Sequence, residues 1–241
     1  MKTLGLVVAR GNSKSIPKKN IIELCGKPLI AWTIEGARRA KKIDRLVLST
    51  DNTEIAEIGK RYGAEVLFMR PAELALDLTP DLPVFEHALQ WFIENEGKAP
   101  EYVVHLRPTG PLRSPADIDK AVELIESDKT ADSVRAISPA PVHPLKTYRL
   151  ENDHLVPFIS GELFGIKEPF NMPRQLLPKA YVAKGYLSVI RARTILEKKS
   201  MTGDIILPLL FDPFRAVDID SLEDLELARR RLEKLIDTNA C

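Results

Sequence analysis

The chain has 241 residues, 44% of them hydrophobic, which suits one large α/β domain or one domain with a small accessory piece. Its 35 basic and 34 acidic residues nearly cancel to a formal charge of +1, giving no support to a nucleic-acid partner or an anionic membrane surface. Cys25 and Cys241 lack any disulfide or metal-ligand spacing, no apolar run could span a bilayer, and Arg10 interrupts the only run resembling a signal peptide, so a cytoplasmic protein is expected.

The first apolar run, Leu4-Gly5-Leu6-Val7-Val8-Ala9, predicts a buried strand of the parallel-sheet kind. Arg10, Lys14, Lys18 and Lys19 follow it in a loop of small polar residues. Backbone amides and cations at the carboxyl end of such a strand suit a polyphosphate; a solvated basic loop is the plainer alternative. The loop contains neither G-x-x-x-x-G-K-[ST] nor G-x-G-x-x-G, which disfavours a P-loop ATPase and an NAD-linked oxidoreductase.

Further along, Lys27 to Ala37 predicts a helix with Pro28 near its first turn, and Arg45 to Thr50 a second strand. Asp51 or Asn52 caps a predicted helix that runs to about Tyr62 and ends at Gly63. Glu65 to Met69 predicts a third strand, ending at Arg70-Pro71, where an arginine would lie on the ligand edge of the sheet or simply on the surface. Pro83 to Glu94 predicts a helix, Tyr102 to Leu106 a fourth strand, and Ser114-Pro115 opens another helix. This alternation predicts a parallel sheet with helices on both faces.

The pattern breaks between about Ile137 and Ala183, where seven prolines fall from Pro139 to Pro178. Such a stretch is either an ordered excursion or a flexible insertion. The regular scatter of Leu145, Tyr148, Leu155, Phe158, Leu163, Phe164 and Phe170 favours order, with a second subunit as cover. The α/β pattern resumes at Gly185 to Ile190, and a last helix is expected from Ser221 to about Ile236. Just before it, Asp218 and Asp220 are predicted to share one face of a strand about 7 Å apart, which calls for a cation such as Mg²⁺ between them. Capping of the last helix is the alternative role of Asp220. None of His87, His105, His143 and His154 sits in a ligand or triad spacing.

Several of these segments carry a resemblance. VVARGNSKSIPKKN resembles the N-terminal signature of sugar-activating nucleotidyltransferases, and most of all that of the CMP-sialic acid synthetases (acylneuraminate cytidylyltransferases), at Ala9, Arg10, Ser13, Lys14, Pro17, Lys19 and Asn20. Arg70 to Ala75 resembles the family's R-P-A-E-L-A, Leu106 to Arg113 its L-Q-P-T-S-P-L-R, and His143 to Thr147 its H-P-L-K-T. Pro173-Arg174-Gln175 with Leu177-Pro178 resembles P-R-Q-x-L-P, and Asp218-Ile219-Asp220 the metal-binding D-I-D. The segments keep the family's order from about Leu4 to Leu227.

The resemblance implies a three-layer, mostly parallel, nucleotidyltransferase Rossmann-like α/β fold with a dimerisation excursion. Residues 1–138 would form the first part of the nucleotide-binding core and 139–182 the dimerisation and sugar-contacting excursion. Residues 183–241 would return the core with a metal-binding strand and C-terminal helix. The implied reaction joins CTP, as co-substrate, to an acidic keto-sugar of the nonulosonic (sialic-acid-like) class, giving a CMP-sugar and pyrophosphate. Arg10, Lys14, Lys19 and Asp218 would be catalytic, and Arg10, Ser13, Asn20, Arg70, Asp77 and Thr79 would hold the nucleotide. Arg107, Lys146 and Arg174 would face the sugar, and Asp218 and Asp220 would bind Mg²⁺ or another divalent cation. No nucleic-acid or membrane partner is implied, and the assembly would be a homodimer.

Three positions depart from the family pattern. Asp81 stands where a serine is common, Arg107 replaces a glutamine, and Lys184 replaces the asparagine before Gly185. Arg107 would therefore pair with an internal acid or meet a substituent of the sugar. The related CMP-Kdo synthetases share the fold and reaction but lack the P-R-Q and H-P-L-K segments. A catalytically silent nucleotide-binding homologue is disfavoured by intact Arg10, Lys19, Asp218 and Asp220.

Overall fold

In the computed structural model, which describes residues 1–237, β1 (Thr3–Val8) leads through the basic loop and a small hairpin, β2 (Glu23–Leu24) with β3 (Lys27–Pro28), into α1 (Leu29–Arg38). β4 (Arg45–Ser49), α2 (Thr53–Tyr62), α3 (Asp81–Glu96) and β5 (Tyr102–Leu106) follow. Next come α4 (Pro115–Ser127) and β6 (Ser133–Pro139), where the chain leaves the sheet. The excursion carries the hairpin β7 (Tyr148–Glu151) and β8 (His154–Pro157), then a series of short 3-10 turns. It returns at β9 (Tyr181–Val182), which pairs back onto the end of β6. β10 (Ser188–Arg191), α5 (Ala192–Leu196), β11 (Ile206–Leu210) and α6 (Leu222–Asp237) complete the described chain; Cys241 lies outside it.

The main sheet runs β11-β6-β10-β5-β1-β4. β1 is parallel to β4 and β5, and β11 is parallel to β6, while β10 runs antiparallel between β5 and β6. The expected mostly parallel sheet is therefore present. Period-two alternation decides the layers. Val7, Leu48 and Val104 face Ile30 and Ile34 of α1, Ile55 of α2 and Val122 of α4. Their neighbours Leu6, Val47 and Val103 face Phe85, Leu89 and Phe92 of α3 and Ile195 of α5 on the other side.

A third cluster matters more for function. Leu225, Ala228, Leu232 and Leu235 recur at helical spacing along α6 and pack on Ile16, Val217 and Ile219. Burying a side chain of this size stabilises by roughly 1.5–3 kcal/mol. Ile16 from the basic loop and Ile219 from the D-I-D segment are thus anchored in one core, although about two hundred residues separate them.

Two strand expectations are corrected. Glu65 to Met69 forms no strand; only a single bridge, Val47 to Glu65, is made. The segment is pinned to β4 again where Arg70 N–H donates to Thr50 O, so five steps of chain lie beside three, and the surplus bulges out of the ladder. Asp218 to Asp220 is extended but unladdered, and Ile219 N–H donates to Thr109 O at 3.0 Å. Val217 and Ile219 still turn inward while Asp218 and Asp220 face the cleft. β6, α5 and β11 add to the elements read from the sequence, and α1 starts after Pro28 rather than at Lys27.

Candidate active site

A cavity of about 430 Å³ opens beyond the carboxyl ends of β1 and β5, where the strand order reverses direction around β1. Arg10, Ser13, Lys14, Lys19, Asn20, Arg70, Asp77, Thr79, Arg107, Asp218 and Asp220 all line it. Three of the four loop cations therefore reach the cleft. The fourth, Lys18, leaves it, pairing with Glu54 at the start of α2 at 2.8 Å.

The basic loop is held by specific bonds. Gly11 N–H donates to Asp51 Oδ1 at 2.8 Å, and the buried Asn20 donates its side-chain amide to Arg10 O at 2.8 Å. A methyl on Gly11 would lie 2.9 Å from Asn52 Cβ, so the close approach of loop and α2 requires glycine. Asn52, not Asp51, caps α2, accepting from Ile55 N–H at 3.0 Å. Asp51 is a loop-holding residue that the sequence reading did not assign. Its signal was its place at the end of a strand, two residues from the helix start.

Most of the expected nucleotide contacts have a local partner; Ser13 only lines the cleft. Arg10 Nη1 and Lys14 Nζ both meet the Asp77 carboxylate at 2.6 Å, and these cations hold its carboxyl below the usual range. Asp77 thus stands on the cations expected to take a triphosphate. Arg70 is buried, donating from Nε to Ser49 Oγ at 3.1 Å and from Nη2 to Ser49 O at 2.6 Å. Burial lowers its pKa to about 10, against the pull of Asp51 and Asp81. Thr79 Oγ1 donates to Glu73 O at 3.2 Å, which fixes the loop carrying Asp77.

Lys19 joins the two ends of the site. Its half-buried ammonium donates to Ile219 O and to Asp220 Oδ1, both at 2.9 Å. The cap of α6 is a separate device: Asp224 N–H donates to Ser221 Oγ at 3.2 Å, and Asp224 Oδ2 accepts from Ser221 Oγ at 2.8 Å. Asp220 contributes only its backbone N–H to that cap, so its carboxylate serves Lys19 and the cleft. Asp218 is half-buried and accepts no hydrogen bond among the described residues.

The two departures Arg107 and Asp81 form an ion pair with each other, and Arg107 Nε also donates to His105 Nε2 at 3.3 Å. Arg113 fixes the backbone behind them, donating to Tyr186 O and, at 3.0 Å, to Arg107 O. Its own pKa falls to about 10 through burial. Lys146 and Arg174 are not brought to this cleft. Lys146 Nζ donates to Met172 O at 2.6 Å, while Arg174 donates to Ala140 O and to Pro141 O, lining a separate groove with His143 and Tyr181.

A family model described as cytidylyltransferase matches residues 4–152. A CMP-N,N'-diacetyllegionaminic acid synthase of Legionella pneumophila is 32% identical over 234 residues, covering 97% of both chains. A pseudaminic acid cytidylyltransferase of Campylobacter jejuni is 30% identical over 233 residues, covering 95% of both. A solved CMP:2-keto-3-deoxy-manno-octonic acid synthetase complexed with CTP superposes with a TM-score of 0.68 over 97% of this chain and 99% of that one. At 12% identity that likeness shows the fold.

Proposed function

The chain belongs to the cytidylyltransferase family, and from that membership we propose that it transfers the CMP group of CTP to an acidic keto-sugar of the nonulosonic class, releasing pyrophosphate. One observation carries the reading: a single cleft gathers Arg10, Lys14 and Lys19 with Asp218 and Asp220. The acceptor hydroxyl attacks the α-phosphorus and gives its proton to one of the two aspartates or to water, the bond to the β-phosphate oxygen breaks, and negative charge gathers on the departing pyrophosphate. Such a transfer depends on positioning and on neutralising that charge. Arg10, Lys14 and Lys19 supply fixed positive charge along the triphosphate, which takes the place of Asp77 on the first two. Ser13, Asn20, Arg70, Asp77 and Thr79 shape the nucleotide side, Arg70 and Asn20 by holding the strand end and the loop. Arg107 faces the acceptor side, to which Lys146 and Arg174 are assigned from the excursion.

The donor set suits a hard divalent cation. Mg²⁺ takes one or two carboxylates and completes its shell with water and substrate phosphate. Asp218, without a hydrogen-bonded partner, and Asp220 fit that need, and among the described residues no cluster of three or more His, Cys, Asp or Glu offers an all-protein cage. When bound, the ion would neutralise phosphate charge beside Lys19.

The exposed apolar side chains of the excursion support a homodimer, and the use of CTP supports a cytoplasmic enzyme. No helix among the described residues is long and apolar enough to cross a membrane. The test mixes the protein with CTP, Mg²⁺ and a panel of acceptors: N-acetylneuraminate, N,N'-diacetyllegionaminate, pseudaminate, 3-deoxy-manno-octulosonate and glucose 1-phosphate. Pyrophosphate release and a CMP-sugar from a nine-carbon keto-acid are expected. Preference for the eight-carbon acid, for the sugar phosphate, or for nothing in the panel would overturn the reading.

A further inference from the structure

Asp77 holds two cations of the basic loop at once. Arg10 Nη1 meets its Oδ1 and Lys14 Nζ its Oδ2, each at 2.6 Å, and all three residues line the cleft. Two cations brought this close repel one another unless an anion lies between them. In the nucleotide-free protein the carboxylate therefore stands where a phosphate group would otherwise be required. Lys14 and Arg10 in turn keep it ionised near neutral pH.

The segment that carries Asp77 has few other ties. Pro71 and Pro80 bracket it. Leu74 N–H donates to Pro71 O, Ala75 N–H to Ala72 O, Thr79 N–H to Leu76 O and Thr79 Oγ1 to Glu73 O, so these bonds all stay inside the segment. Leu74 packs against the α3-side core, but Leu76 is 63% exposed and Leu78 95%. Among the described residues, Asp77 is the only side chain of residues 72–80 with a hydrogen bond or ion pair to another part of the chain. A surface segment with internal turns and one polar tie can open at small cost.

Any anion that takes Arg10 and Lys14 must first release Asp77, and apparent affinity falls with the fraction of protein so released. The pairs are partly exposed, with the Arg10 and Asp77 side chains at 32% and 33% and that of Lys14 at 82%. Pairs of that kind are weak enough for a highly charged ligand to displace. A triphosphate that spans Arg10, Lys14 and Lys19 recovers the loss. A lone orthophosphate only exchanges one anion for another. The exchange also runs backwards, because a ligand that leaves returns the protein to its unliganded state.

We propose that Asp77 is a displaceable counter-anion: it latches residues 71–80 onto Arg10 and Lys14 in the nucleotide-free protein, yields both cations to a polyphosphate, and reclaims them as pyrophosphate leaves. This rests on the reading of the cleft as a triphosphate site. The latch keeps small anions off the cations between turnovers and helps to clear the product.

The test titrates the full chain with inorganic tripolyphosphate, pyrophosphate and orthophosphate by calorimetry, with Mg²⁺ present throughout. Asp77→Asn should bind each of them about fivefold or more tighter than the wild-type chain, the scale of releasing two partly exposed pairs. Glu73→Gln removes the same charge from the same segment without touching the pairs, and should change each affinity less than about twofold. In turnover, Asp77→Asn should lower the KM for CTP and should be inhibited by about fivefold less pyrophosphate. Unchanged affinities in Asp77→Asn, equal tightening in Glu73→Gln, or a raised KM for CTP overturns the latch. Absence of polyphosphate binding in both the wild-type and Asp77→Asn chains overturns the triphosphate reading, and the latch with it. Tightened binding in a chain that turns over no acid supports the latch and refutes the proposed transfer alone.

Discussion

Arg107 and Asp81 are ion-paired at the margin of the cleft, and each stands where the resembled family carries a different, uncharged residue. A lone guanidinium or a lone carboxylate at that place would disturb the electrostatics of the cleft. As a pair they keep the local charge balanced while leaving Arg107 Nε on His105. The two changes are comprehensible only together.

Non-additive substitution effects should follow. Arg107→Gln and Asp81→Ser should each lower kcat/KM by about tenfold. The double variant should lose less than the product of the two losses, by about threefold or more, because removing the second charge also removes the unpaired one. Steady-state kinetics on all four proteins checks this, and strict multiplicativity would separate the two roles.

The carboxylates of the D-I-D segment should differ in weight. Asp218 is half-buried beside Gly185, whereas Asp220 is exposed and shares its charge with Lys19. Asp218→Asn should therefore lower turnover by about 10² or more, the cost typical of a strong electrostatic contact, and Asp220→Asn by less. Chelation should abolish turnover of the wild-type chain and Mg²⁺ should restore it. Full turnover of a folded Asp218→Asn protein across a Mg²⁺ titration would refute the assignment.

Stability should depend on pH through His105. Its folded-state pKa is lowered to about 3, mainly by burial, so between there and the ordinary value of about 6.5 the unfolded chain binds the extra proton. The stabilisation is fully present above about pH 6.5 and is lost as pH falls toward 3. His105→Gln, which keeps a hydrogen-bonding amide, should flatten the slope of Tm against pH in that window. An unaltered slope would show that other groups dominate it.

The excursion should assemble the protein. Leu150 and Leu155 oppose each other on the β7–β8 hairpin and are 75% and 68% exposed, and Leu163 is 77% exposed. Leu145 and Pro169 are buried within the chain itself, so the exposed side chains form an outward face on an ordered element. Light scattering at micromolar concentration should give twice the 27.0 kDa chain mass, and Leu150→Ser with Leu155→Ser should shift it toward one chain. An active monomer would overturn this.

The layers and the location of the cleft are legible in the local pattern of the chain. Runs such as Leu4 to Val8 and Tyr102 to Leu106 can be buried only as central strands, and the loops after them carry the charges. Helix signals at Asn52, Pro115 and Gly63 are local, and local signals survive folding. Which charges meet depends instead on long-range packing. Lys19 and Asp220 lie 201 residues apart and Arg10 and Asp77 lie 67 apart, and no periodicity encodes such pairings. The failed third strand has the same cause, since Glu65 and Arg70 are each pinned to β4 at points too close together for the chain between them to stay in register. Arg135 reads in sequence as an ordinary strand residue. Its buried, unpartnered Nε lies in a row that β10 completes by setting Ser188 between Arg135 and His105, a cross-strand neighbourhood that no neighbouring residue in the chain foretells.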